Sequence, residues 1–345
     1  IAGALSFVLG LVGFKNVVKY VSPLMGYAGI VMIAMLTINC VILRKKEKET
    51  IMKKEAFKAP LVRVTGGPGG EAVLIKTEET TILHDCGMAC FEKELIENIE
   101  RELGERTLDF VLISHSHYDH IGALPYVIER WPEVTVCGPE KAHQVFNRQG
   151  AVDMIKSMGR TAALHYDRNP DDVTVEGLRI DRVLRDGDVI DMGSVKIQAF
   201  ETKGHTDCSM SYLLQPEGVL LASESTGVVS KEGVLRTSIL KSFDDSLKAA
   251  EFLKTLPFKY ILVPHYGILD REFNDKFFDM YQQEAKREKN MIDKCISEGM
   301  SEEEIFEEHK KIYWSKEREK EQPFRAYEMN TRIIIKRMMK EAGVL

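Results

Sequence analysis

Four residues able to bind metal fall within six positions of the segment LISHSHYDHIGALP: His115, His117, Asp119 and His120. They follow an apolar, β-branched run of the kind that forms a strand. Side chains two apart on a strand point the same way, so His115 and His117 are presented together, and the loop that follows can turn Asp119 and His120 toward a neighbouring point. Two closely spaced metal ions are served by such an arrangement. Further candidates stand at the ends of apolar runs: His205 in TKGHTDCSMSY, Glu224 at the close of GVLLASES, and His265 in ILVPHYG. Imidazole and carboxylate ligands without thiolate suit zinc first, with iron or manganese as alternatives. Two divalent cations bring the pKa of a bound water toward neutrality and polarise the oxygen under attack, so no Ser or Cys nucleophile is required. The other histidines, His84, His143, His165 and His309, read as structural residues. Tyr118 and Tyr266 lie beside ligands but read equally well as packing, and Cys208 and Ser209 read as loop structure.

The elements that must position these residues are short and alternate in type. LVRV, AVLIKT, TTILHDCG and LDFVLISH read as strands, with Gly66, Gly67, Gly69 and Gly70 turning the chain between the first two. FEKELIENIEREL, IGALPYVIERW and SLKAAEFLKTL carry apolar residues at helical spacing, the last of them ahead of the strand KYILVPHYG. Two strand-rich halves, parted near residues 140–175, are compatible with an αββα sandwich. After Asp270 the chain turns helical and charged, with breaks expected at Gly299 and Pro323 and a capping box at Ser301 and Glu304. That extension, 271–345, can serve as a lid, as a homodimer surface or as packing, and EEEIFEEHKK within it reads as a solvated face.

With 44% hydrophobic and 29% charged residues the chain has a folded protein's composition, and its net charge of -6 offers no general basic surface for nucleic acid. A small-molecule substrate is the expectation. Six cysteines without a CxxC pair point to a reducing, cytosolic setting, and the close pair Cys86 and Cys90 reads as core. The first 51 residues differ from the rest. Leu24–Leu43 has no charged residue over a length that crosses a bilayer, and Arg44, Lys45 and Lys46 follow, which places the remainder in the cytoplasm. Residues 1–51 thus read as one or two membrane spans foreign to an enzyme that begins at Met52, with a membrane anchor if they are native to it. They loosely resemble the end of a membrane transporter.

HSHYDH resembles the HxHxDH signature of the metallo-β-lactamase superfamily, GHT at 204–206 resembles its second histidine motif and HYG at 265–267 its last. The resemblance spans about 60–270, inside a hydrolase domain set at 52–270. It implies an αββα metallo-β-lactamase sandwich in which His115, His117 and His205 hold one metal, Asp119, His120 and His265 hold the other, and the acid at Glu224 bridges them. It also implies that Asp85 supports the histidine loop and that Asp119 accepts a proton or orients the attacking hydroxide. The family usually has Asp where this chain has Glu224. The activity implied is dinuclear hydrolysis of an ester, thioester, lactone or phosphoester. One rival is a di-iron redox enzyme, although superfamily members of that kind typically carry Glu where this chain has His117, together with a flavin-binding domain for which no glycine-rich signature is present. Another is a metal-bearing binding or signalling module of low turnover.

Overall fold

The structure, a computed structural model, describes residues 61–345, all within one compact unit. The apolar segment at 24–43, with the membrane and transporter expectations attached to it, lies outside the described residues. Among those described, no helix is long and apolar enough to cross a membrane.

Fourteen strands are described, and twelve of them build two six-stranded sheets. The first sheet runs in chain order: β1 (Leu61–Arg63), β2 (Val73–Lys76), β3 (Thr81–His84), β4 (Phe110–Leu112), β5 (Thr135–Pro139) and β6 (Arg182–Leu184). Pairing is antiparallel from β1 to β3 and parallel from β3 to β6. The connections carry helices α1 (Glu92–Leu103), α2 (Tyr118–Ile121), α3 (Leu124–Arg130), α4 (Glu140–Phe146) and α5 (Gln149–His165). The second sheet uses β7 (Val189–Met192), β8 (Val195–Glu201), β9 (Met210–Gln215), β10 (Val219–Leu221), β13 (Tyr260–Val263) and β14 (Gly267–Ile268), in the order β14-β13-β10-β9-β8-β7. A small ribbon, β11 (Val228–Val229) with β12 (Leu235–Arg236), and helix α6 (Phe243–Lys254) lie between β10 and β13 in the chain.

The period-two alternation of the strands sorts their side chains into layers. Val73, Ile75, Ile82 and Leu112 meet Ile197, Tyr212, Leu214 and Leu221 of the second sheet in an apolar layer between the sheets. Their neighbours Leu74, Leu83 and Val111 face Leu95, Ile99, Leu124 and Val127 of α1 and α3. Phe200, Leu213, Leu220 and Ile261, on the outer face of the second sheet, pack under helices. The four-layer arrangement therefore follows from strands that are apolar on both faces.

Beyond β14 come α7 (Arg271–Ser297), α8 (Glu302–Tyr313), α9 (Lys316–Glu321) and α10 (Phe324–Glu341). The Ser301–Glu304 capping box starts α8, and Gly299 at φ 77 ends the turn before it. A further break at Trp314 and Ser315 was not expected; the Ser315 side chain caps the short α9. These helices place Phe277, Tyr281, Ala285, Ile292, Phe306, Ile334 and Ile335 in the same core as the outer face of the second sheet. Their apolar stripes are buried within the chain rather than left for a second copy, so the homodimer surface expected of them gains no support.

The strand directions gather the site. β3 is parallel to β4, and β8, β10 and β13 share one direction, because β8 and β10 are each antiparallel to β9 and β13 is parallel to β10. Their C-terminal ends form one edge of the sandwich. The sheets are tied there by the Met210 N–H to the Ser114 carbonyl at 2.9 Å and the Tyr212 hydroxyl to the Ile113 carbonyl at 2.5 Å.

Candidate metal centre

Asp85 leaves β3 in the left-handed region, at φ 52, a conformation that Asp tolerates better than most residues. Its buried carboxylate accepts from Ser114 N–H at 2.8 Å, Ser114 Oγ at 2.6 Å and His120 Nδ1 at 2.8 Å. One acid thus fixes both the start of the histidine loop and the orientation of His120. Ser114 Oγ spends its proton on Asp85, so it accepts from His115 Nδ1 at 2.9 Å, which leaves Nε2 of His115 as a lone pair. That atom is fully buried and has no hydrogen-bond partner among the described residues.

His205 follows Gly204 at φ 135, where a Cβ would stand 2.6–2.8 Å from the backbone and Cβ of Ser246 on α6. The Gly204 carbonyl accepts from the N–H groups of Lys241 and Ser242 at 2.9 and 3.2 Å. Gly204→Ala is therefore expected to cost about 2 kcal/mol or more of unfolding free energy, from the disfavoured φ and the backbone clash together. Urea denaturation of the two proteins checks this, and equal midpoints and slopes would show that the loop can yield. His205 Nδ1 donates to the Ser238 carbonyl, and its Nε2 faces His117 Nδ1 at 2.9 Å.

Glu224 opens a 3-10 turn after β10. Its Oε1 meets His120 Nε2 at 2.6 Å and His265 Nε2 at 2.7 Å; its Oε2 accepts from Ser238 Oγ at 2.8 Å and lies 3.2 Å from His205 Nε2. His265, after β13, is also left-handed, at φ 66, and Asp119 Oδ2 stands 3.8 Å from its Nε2. The donor atoms form two groups, His115 with His117 and His205, and Asp119 with His120, Glu224 and His265; within each group they lie within 4.8 Å of one another. All seven residues singled out in the sequence are brought together.

The two groups differ electrically. Burial, reinforced by neighbouring imidazoles, holds His115 well below the ordinary histidine pKa and takes His117 down to about 3; burial also lowers His205. Burial opposes charge on His120 as well, but the hydrogen bonds to Asp85 and Glu224 outweigh it and push this pKa well up. His265 is raised against burial by Glu224. Glu224 is itself held well below the carboxylate range, because the imidazoles around it outweigh its burial. The Nε2 lone pairs of His115 and His205, with Nδ1 of His117 converging on them beside a carboxylate, suit a divalent cation. The buried lone pair of His115 would otherwise cost about 1–3 kcal/mol as an unsatisfied group.

The sequence pattern of the metallo-beta-lactamase superfamily matches residues 65–265, more than half of the chain. The chain belongs to the metallo-beta-lactamase superfamily. Among superfamily relatives, it is 27% identical over 198 residues to a hydroxyacylglutathione hydrolase of Buchnera aphidicola subsp. Schizaphis graminum, a match covering 55% of this chain and 62% of that protein. It is 26% identical over 159 residues to a probable metallo-hydrolase of Bacillus subtilis, covering 46% of this chain and 67% of the relative. An anaerobic nitric oxide reductase flavorubredoxin of Vibrio vulnificus is 25% identical over 167 residues, covering 48% of this chain and 29% of the relative. A solved archaeal superfamily structure from Sulfolobus tokodaii shares the fold at a TM-score of 0.52 and 18% identity, over 65% of this chain and 84% of that one. A metallo-beta-lactamase from Cronobacter sakazakii does so at 0.51 and 17%, over 70% and 97%.

Several residues at this superfamily site carried no motif. Ser114 and Ser238 hold His115, His205 and Glu224, but serines in loops give no periodic signal. Ser225 Oγ accepts from His205 N–H at 3.0 Å, while the Ser225 carbonyl accepts from Tyr281 OH of α7 at 2.8 Å. Thr237 Oγ1 donates to the buried Glu288, also on α7, whose other oxygen meets His309 Nε2 at 2.9 Å. His309 completes its bonding with Tyr327 OH at 2.8 Å, which agrees with a structural role, although it also lines the cavity over the site. Glu288 did carry a signal, as an acid on the apolar stripe of Phe277, Tyr281, Ala285 and Ile292. Tyr118 lines the cavity and Tyr266 is buried in the core, while Ser209 Oγ braces Thr206 in the loop after His205.

Proposed function

We propose that this chain is a dinuclear metal-dependent hydrolase of small ester, thioester, lactone or phosphoester substrates. The observation that carries the reading is Glu224, whose two oxygens address the two ligand groups separately, beside the buried and unpartnered Nε2 of His115. In this reading His115, His117 and His205 would hold one divalent cation and Asp119, His120 and His265 the other, with Glu224 presenting one oxygen to each set of imidazoles. Zinc is the first choice for this donor set, with iron or manganese as alternatives.

Cations held there would lower the pKa of a bound water and polarise the oxygen of the bond being broken. Asp119, whose carboxylate makes no side-chain hydrogen bond among the described residues, would orient that water and take its proton. Asp85 keeps Nδ1 of His120 protonated, and Ser238 does the same for Nδ1 of His205, so each presents Nε2 inward. Residues 52–270 form the hydrolase domain in this reading, and 271–345 complete its cavity. That cavity, about 240 Å³, falls below the usual range of drug-sized sites and suits a small substrate. The five described cysteines are free, which supports a reducing, cytoplasmic setting for this part of the chain. The imidazole of His117 favours hydrolysis over the di-iron redox alternative.

Protein purified without chelators is expected to contain about two metals per chain, because seven ligands exceed what one tetrahedral zinc can use. A chelator should abolish turnover of a panel of thioesters, lactones and phosphodiesters, and added zinc or manganese should restore it. One metal or none by elemental analysis, or turnover indifferent to the chelator, would count against the proposal.

A further inference from the structure

We propose that the cavity wall contributed by the C-terminal helices is a subsite for an anionic group of the substrate, a carboxylate or phosphate, received by Arg318 with Arg236 beside it. The proposal rests on the hydrolase reading for which end of the substrate reacts. The same cavity is lined by His117, Asp119, Glu224 and His265 and by Arg236 and Arg318, so one small molecule can address both.

Arg318 is half-buried on α9. Its Nε donates to Gln322 Oε1 at 3.2 Å, its Nη1 donates to the Tyr313 carbonyl at 3.0 Å, and the guanidinium carbon lies 4.7 Å from the centre of the Tyr327 ring. These contacts aim the fork without neutralising it. Among the described residues no carboxylate comes within 4.0 Å of this guanidinium, and its Nη2 makes no hydrogen bond. The acids nearby are committed elsewhere. Glu288 is shared by His309 and Thr237, and Glu321 by the Lys231 N–H at 2.8 Å and Arg236 at 3.4 Å. Cations partly withdrawn from water are ordinarily paired, and a second guanidinium close by makes an unpaired one costlier. Burial, then Arg236, lowers the Arg318 pKa to about 10, so it stays charged at neutral pH. A fork with one free edge, stacked on an aromatic ring, suits a carboxylate or phosphate. Met88, Met154, Met158, Ile239 and Ile334 line the same cavity, so the ligand described is a small acyl or phosphoryl compound with an apolar body and an anionic terminus. Tyr313, Arg318 and Tyr327 all lie beyond residue 265, outside the span shared with the superfamily.

The test uses the full metal-loaded chain and two probes of similar length, p-nitrophenyl hemiglutarate and p-nitrophenyl hexanoate. The parent should favour the hemiglutarate in kcat/KM by about tenfold or more, the size expected of one charge-assisted contact. Arg318→Gln should erase that preference through KM, leaving the hexanoate and the metal content unchanged. Arg318→Lys, which keeps the charge but not the fork, guards against a folding defect and should raise KM for the anionic ester alone. Calorimetric titration with monomethyl glutarate keeps this proposal separate from the hydrolase reading. If neither ester is turned over, esterase activity is lost, yet a tenfold weaker affinity in Arg318→Gln still supports the subsite. Equal affinity in parent and variant, or turnover of both esters by the parent without preference for the anionic one, overturns it.

Discussion

Alanine at His117 is expected to lower kcat by about a thousandfold or more at saturating metal, corresponding to roughly 4 kcal/mol of lost transition-state stabilisation. His117 Nδ1 faces His205 Nε2 at 2.9 Å, so its loss leaves the first group with two imidazoles and the Glu224 carboxylate. The fold should survive, because the ring lies at the edge of the sandwich and outside the apolar layers. Thermal melting and metal content, measured beside kcat, separate the two effects. Near-normal turnover with two metals bound would remove His117 from the ligand set. At His265 the informative variant is glycine rather than alanine. Its φ of 66 suits glycine, so His265→Gly removes the imidazole without adding backbone strain.

Glu224→Gln is expected to weaken affinity for at least one metal by about a hundredfold or more, since even outer-shell partners of ligands cost 10–100-fold when removed. The change keeps shape and removes a negative charge that His120, His265 and His205 all approach. Glu224→Asp should be milder in charge but shorter by one methylene, and it would strain the contact with Ser238 Oγ, now 2.8 Å. Competition with a chromophoric chelator measures both. A Gln variant that binds two metals as tightly as the parent would show that Glu224 is not a ligand, and the link between the two groups would have to pass to water or another acid.

The candidate ligand residues were legible because their chemistry is crowded into few positions and falls at strand ends, where a period-two pattern stops. The layers were legible for the same reason, since Leu74 or Leu83 between apolar neighbours requires a strand covered on both faces. What escaped lies in pairings that no local period records. Thr237 and Glu288 are 51 residues apart, Ser238 and His205 are 33, and each contact depends on how two separately folded pieces are brought together. Asp119 and His120 were read as loop, yet they sit on the short helix α2, which His117 precedes in extended conformation. The stretch at 140–175, read as a divider between halves, is mostly helix, with α5 packing beside α2 under the same cavity. The break at Trp314 went unseen because Ser315 caps without a glycine or proline to announce it.

Helix α7 reaches the site twice, through Tyr281 to the carbonyl beside Glu224 and through Glu288 to the residue before Ser238. Two polar side chains seven positions apart on one helix face thus grip both loops that carry the carboxylate and its serine brace. A gene fragment ending after the last histidine motif would encode every candidate ligand and still lack the splint that holds the Glu224 and Ser238 loops. A C-terminal quarter taken from another protein would have to bring its own hydroxyl and its own acid at the same two heights along the helix to make these contacts.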